Sequence, residues 1–146
     1  MTAENIRHVG IVTKNLKKSL RFYKDILKFK TVKKMNESGS ALSKIFALNG
    51  TEVTTIKMKP KDGGSMVELL YFKNPKTKKK IGNVKLNYLG LTHYAMTVKN
   101  IDKLYSKLKK EGINFLHKPL LSEDKKVKLA FCKSPDNVLI EMVQVL

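Results

Sequence analysis

"RHVGIVTKN" at residues 7–15 and "THYAMTVKN" at residues 92–100 have the same layout, with a histidine in second place and Lys-Asn at the end. Aligning His8 with His93 sets an offset of 85 (93 − 8), at which Lys14, Asn15 and Lys18 meet Lys99, Asn100 and Lys103. Each stretch alternates little, as expected of a strand covered on both faces. Each closes on an asparagine suited to capping a helix, Asn15 or Asn100. A helical pattern follows in both copies: Leu16, Leu20, Tyr23 and Leu27 in the first, and Ile101, Leu104, Tyr105 and Leu108 in the second.

Outward from these helices the grammar stays duplicated. The second helix stops at Gly112, and a short strand follows each helix, "FKTV" or "INFLHK". Both copies then end in a hairpin. "EVTTIKMK" and "MVELLYF" flank the turn "PKDGGS"; "KVKLAFCK" and "VLIEMVQV" flank "SPDN". The expected fold is therefore α+β, two tandem β-α-β-β-β modules over a single domain, 1–146. Module 1 spans about 5–73, a Lys- and Asn-rich linker about 74–89, and module 2 about 90–146. The insertion "SGSALSKIFALNG", 38–50, reads as a short helix with serine caps and Gly50 at its end.

Composition narrows the function classes. The 146 residues carry a formal charge of +18, a field that attracts anions of many kinds. Nearly all of it is lysine, with only Arg7 and Arg21 as arginine, and the lysines are dispersed apart from "KNPKTKKK" at 73–80. Planar recognition of bases and phosphates favours arginine, so nucleic acid is not an expected partner. The N-terminal "MTAENIRH" has no apolar signal core, and no apolar run nears the roughly 18 residues of a membrane span. A soluble, cytoplasmic protein is expected, with no membrane partner. The single cysteine, Cys132, lies in the strand-like "KLAFCK" and reads as a buried structural thiol.

The last strand of each copy holds the chain's most informative oddity. Glu68 sits in "SMVELLYF" and Glu141 in "VLIEMVQV", each four residues after its turn closes. An ionised carboxylate in so apolar a strand is costly unless something pairs with it. Two histidines and two glutamates at repeated places, His8, Glu68, His93 and Glu141, point to a divalent cation as the partner, the other reading being a purely structural polar cluster. Such an N₂O₂ donor set suits Zn²⁺, Ni²⁺, Co²⁺, Mn²⁺ or Fe²⁺, and an octahedral ion would keep two adjacent positions open for two neighbouring substrate oxygens. Residues two away from these ligands, Met66, Leu70, Ala95, Leu139 and Val143, would share their face and make it mainly apolar. Tyr71 and Tyr94 would point the other way, and His117 reads as a surface residue.

Through "HVGIVTKNLKKSLRFYKDIL", "MVELLYF", "GLTHYAMTVKNIDKLYSKLKKEGI" and "SPDNVLIEMVQ" the chain resembles the vicinal oxygen chelate superfamily. That group includes glyoxalase I, methylmalonyl-CoA epimerase, extradiol dioxygenases and the bleomycin and fosfomycin resistance proteins. The resemblance implies a cup-shaped, incomplete-barrel mixed sheet around one metal, with His8, Glu68, His93 and Glu141 as ligands. It implies a metal-dependent lyase or isomerase of the glyoxalase or epimerase type, which takes a proton from the carbon next to a carbonyl. Glu141 is the first candidate proton acceptor. Glu52, near where epimerases carry a second acid or base, is the other catalytic candidate and also reads as a strand-end surface carboxylate.

The His, Glu, His, Glu set matches glyoxalase I, whereas "HVGIV" lacks the arginine that usually serves the glutathione carboxylate. The second half is similar to the epimerases but has "LLSEDKKVK" in place of their glycine-rich segment, and Lys28 replaces a helix-ending glycine. The expected partner is a small-molecule substrate, and the positive field favours an anionic one, such as an acyl-CoA. The resemblance allows a homodimer. Two other functions fit the same fold: a drug-sequestering resistance protein, which needs no catalysis, and an extradiol-type dioxygenase, which uses two histidines and one carboxylate around Fe(II).

Overall fold

The structure, a computed structural model, describes residues 3–79 and 85–146 and divides into two compact units, Met1–Lys80 and Ile81–Leu146. Residues 80–84 of the expected linker lie outside the described residues; 75–79 and 85–90 carry neither helix nor strand.

Unit 1 runs β1 (His8–Val12), α1 (Leu16–Leu20), β2 (Lys30–Ser38), α2 (Ser40–Phe46), β3 (Glu52–Lys59) and β4 (Met66–Asn74). Its four strands form one open mixed sheet in the order β1-β4-β3-β2, with β1 parallel to β4 and the other pairs antiparallel. Unit 2 repeats the plan with β5 (His93–Thr97), α3 (Ile101–Lys110), β6 (Leu120–Leu121), β7 (Val127–Lys133) and β8 (Leu139–Val145), ordered β5-β8-β7-β6. Each unit is the expected β-α-β-β-β module.

Register separates two faces in each sheet. In unit 1, Ile11, Leu69 and Ile56 form one cross-strand row, and Val67 pairs with Met58 in the next. These five are buried, as are Phe22, Tyr23, Ile26 and Phe29 from the helical segment. Burying each such apolar side chain contributes about 1.5–3 kcal/mol. The opposite face carries the rows Gly10–Glu68–Lys57–Lys33 and Val12–Leu70–Thr55–Met35. In unit 2, Ala130, Cys132, Ile140 and Met142 share the buried face, and Ile101 and Leu108 of α3 are buried too. Burial pushes the Cys132 thiol up to about 12, so it stays protonated and unreactive at neutral pH.

Both asparagines cap as expected. Asn15 Oδ1 accepts from the Lys18 N–H and Asn100 Oδ1 from the Lys103 N–H, each at 3.0 Å. A buried Thr13–Ser19 hydroxyl contact at 2.8 Å ties the first helix start to the end of β1.

Other expectations need correction. The first helix is α-helical only through Leu20 and then turns π-helical over Arg21–Ile26, with the Leu27 N–H donating to the Phe22 carbonyl at 3.0 Å. Lys28 follows at φ 63°, in the left-handed region. That conformation costs a side-chain-bearing residue about 1 kcal/mol relative to glycine. Lys28→Gly is therefore expected to raise the thermal midpoint by about 2–4 °C in a chain of this size. An unchanged or lower midpoint on scanning calorimetry would contradict this.

The strand expected at "FKTV" extends over nine residues to Ser38, with a bulge between Thr31 and Lys33. "INFLHK" keeps only the isolated Phe115–Cys132 bridge, and pairing resumes at Leu120. Pro119 intervenes and has no N–H to give a ladder. α2 forms where a short helix was expected, but its N-cap is Gly39 with no side-chain cap bond, and its left-handed end is Ala47 rather than Gly50.

Candidate metal centre

Each unit brings its own histidine and glutamate together on one sheet face. In unit 1, β1 and β4 run parallel with His8 opposite Met66 and Gly10 opposite Glu68. The His8 ring on one strand thereby reaches the Glu68 carboxylate on the next, with Nε2 3.1 Å from Oε2. In unit 2 the same parallel register pairs His93 with Leu139 and Ala95 with Glu141, and His93 Nε2 lies 3.4 Å from Glu141 Oε2. Both carboxylates are mostly withdrawn from solvent, at 14% and 22% side-chain exposure. Among the described residues, no third His, Cys, Asp or Glu joins either pair into a larger cluster.

The surroundings of the two pairs differ. Thr92 Oγ1 lies 3.0 Å from His93 Nδ1, which leaves Nε2 as the nitrogen facing Glu141. A hydrogen bond on the far ring nitrogen is the usual way a ligating imidazole is oriented. Among the described residues the buried His8 Nδ1 has no hydrogen-bond partner, so the polar capacity of that ring is directed at Glu68 through Nε2. The second oxygen of Glu68, Oε1, lies 3.4 Å from Lys57 Nζ, which stands directly opposite it on β3. At the matching position in unit 2, Phe131 stands opposite Glu141, and its ring packs edge-on against His93 with centroids 5.2 Å apart.

Each pair offers one nitrogen and one oxygen donor, a chemistry that borderline divalent ions accept. Neither pair is a complete cage by itself. Neutral imidazole and carboxylate are the ligating forms, so binding there would weaken in acid.

Glu52 is placed elsewhere. It is exposed at the start of β3, paired with Ser38 and Asn74, five residues along the strand from Lys57. There it lines a surface concavity of about 810 Å³ with Ser38, Ser40, Ser43, Lys44 and Asn49. His117, expected at the surface, is half-buried, with its ring 6.1 Å from Phe131 and Nδ1 2.8 Å from the Lys118 carbonyl.

Lys57, Phe131 and Thr92 do not emerge from motif reading. Hairpin arithmetic would have found the first two, because the turns at 60–65 and 134–138 fix which residue opposes each glutamate. Thr92 is the residue just before His93 and carried no signal beyond adjacency.

Comparison with known proteins agrees with the architecture. A family model described as Glyoxalase/Bleomycin resistance protein/Dioxygenase superfamily matches residues 5–142. The chain is 31% identical, over 98% of its own length, to a lactoylglutathione lyase of Schizosaccharomyces pombe, and spans only 48% of that relative. Among solved structures, a glyoxalase family protein from Bacillus cereus superposes with a TM-score of 0.89 at 23% identity, covering 100% of this chain and 97% of that one. A glyoxalase I of Leishmania major, described as trypanothione-dependent, gives 0.64 at 19% identity, covering 97% and 87%. These structural likenesses concern the fold. No helix among the described residues is long and apolar enough to cross a membrane.

Proposed function

Because this chain belongs to the glyoxalase, bleomycin resistance protein and dioxygenase superfamily, we propose that it is a metal-dependent lyase or isomerase acting on a small molecule with two adjacent oxygens. The observation that carries the reading is the duplicated His–Glu pair, His8 with Glu68 and His93 with Glu141, at matching register in both sheets. The 31% identical lactoylglutathione lyase supports the glyoxalase branch. An epimerase-type reaction uses the same proton chemistry.

In this reading His8, Glu68, His93 and Glu141 are ligands of a divalent cation, Zn²⁺, Ni²⁺, Co²⁺, Mn²⁺ or Fe²⁺. When bound, that cation supplies Lewis acidity toward the substrate's paired oxygens and so favours loss of the neighbouring proton. The chain's own residues do the rest. His8 and His93 present Nε2, and Thr92 fixes the orientation of the His93 ring. Glu141 takes the proton. Phe131, opposite Glu141 and against His93, keeps the immediate wall apolar, which strengthens electrostatic interactions there. Glu68 is held on both oxygens, by His8 and Lys57, and serves as ligand. Glu52 lies away from the unit 1 pair, so this reading gives it no proton to move.

Chelation can be tested without knowing the substrate. Cobalt(II)-loaded protein should give a visible spectrum that shifts when acetohydroxamate, a two-oxygen chelator, is added. A cobalt spectrum indifferent to saturating acetohydroxamate would contradict a site with two adjacent open positions.

A further inference from the structure

The face of unit 1 that carries His8 and Glu68 has a second charged feature. On the β2–β3 ladder Lys33 stands opposite Lys57, and Lys30 opposite Lys59. Side chains two apart on a strand share a face, so Lys57 and Lys59 both lie on the Glu68 side, and their cross-strand partners lie there with them. Like charges directly opposite each other on a ladder destabilise it. Here two such pairs follow one another, at roughly 5 Å spacing across the strands and roughly 7 Å along them.

Lys30, Lys33 and Lys59 are exposed, whereas the Lys57 side chain is only 21% exposed. Of the four, Lys57 alone has a carboxylate partner among the described residues, Glu68. Unit 2 does not repeat the arrangement, since its position opposite the glutamate holds Phe131 and its short outer strand pairs Leu120 with Leu129. The duplicated plan therefore keeps the His–Glu pair and gives only one half a cluster of four cations beside it.

We propose that Lys30, Lys33, Lys57 and Lys59 seat an anionic group of the substrate, a phosphate in chemical class. The proposal rests on the reading of His8 and Glu68 as part of the substrate site and adds a specificity element to it. Counting strands outward from Glu68 to Lys57 and then Lys33, the seat begins roughly 5 Å from the ligand and extends to roughly 10 Å. The preferred substrate carries its phosphate at about that distance from its paired oxygens. An anion over the cluster offsets the repulsion within the two lysine pairs, and lysine supplies the point charges that hold a phosphate without planar geometry.

The test titrates sodium tripolyphosphate into the full chain by calorimetry, in EDTA and about 0.1 M salt, where longer-range steering is screened. Three proteins are compared: the parent, Lys33→Gln/Lys59→Gln, and a control, Lys109→Gln/Lys110→Gln, on the exposed last turn of α3. Expected are one binding event in the parent, affinity at least about tenfold weaker in the first variant, and about the parent value in the control. No binding by the parent, or equal losses in both variants, would overturn the proposal. So would a single-stranded oligonucleotide of equal charge that binds more tightly than tripolyphosphate and is lost in the first variant, because the cluster would then be a nucleic-acid contact. Elemental analysis of the same preparations after cobalt loading reads the metal separately, so failure of the phosphate seat and failure of the metal reading give different results. An unlowered thermal midpoint in the first variant shows that folding is intact.

Discussion

Glu141→Gln is expected to lower the proposed lyase or isomerase turnover by about 10²–10⁴-fold while the protein still takes up cobalt. The amide keeps an oxygen that can coordinate, but it cannot accept a proton at neutral pH. The corresponding change in the other half, Glu68→Gln, should leave proton transfer less affected and metal affinity more so, because Glu68 is already engaged by His8 at 3.1 Å and by Lys57 at 3.4 Å. Steady-state kinetics with metal content measured on each preparation separates the two effects. Equal loss of turnover in both variants at equal metal content would remove the special role given to Glu141.

The largest expected effect on stability comes from the opposite face of the same sheet. Tyr23 is fully buried, packed edge-on against Phe22 at 4.9 Å and tilted against Phe29 at 6.0 Å. It also lies in the π-helical segment, where the Phe29 N–H donates to the Tyr23 carbonyl at 2.9 Å. Tyr23→Ala removes a large aromatic from a closed packing site and should cost about 3–5 kcal/mol. In a chain of this length that lowers the thermal midpoint by on the order of 10 °C. A midpoint within about 2 °C of the parent would mean that unit 1 does not depend on this aromatic cluster.

The repeat made the architecture readable. Because "RHVGIVTKN" and "THYAMTVKN" share their layout, each uncertain element in one half could be checked against its counterpart, and the strands, hairpins and asparagine caps follow from that comparison. The errors sit where local patterns compete. Hydrophobic spacing cannot distinguish an α-helix from a helix that widens to π after Leu20, since both bury Phe22, Tyr23 and Ile26. "INFLHK" has strand-like composition, but Pro119 interrupts the ladder.

At the candidate centre the four donors stood out because ionised groups in apolar strands are costly. Their distinguishing neighbours did not, because Lys57 and Phe131 are identified by what they oppose across a hairpin. The lysine cluster was hidden for a different reason. Against 30 basic residues in 146, no lysine is conspicuous until register sets Lys30 against Lys59 and Lys33 against Lys57.

Metal stoichiometry tests the central claim most directly. If His8, Glu68, His93 and Glu141 serve one cation as a single set, cobalt-loaded protein should contain one ion per chain. His8→Ala and His93→Ala should then each abolish binding, although each alters only one pair. Two ions per chain, or full cobalt retention in either alanine variant, would contradict the account.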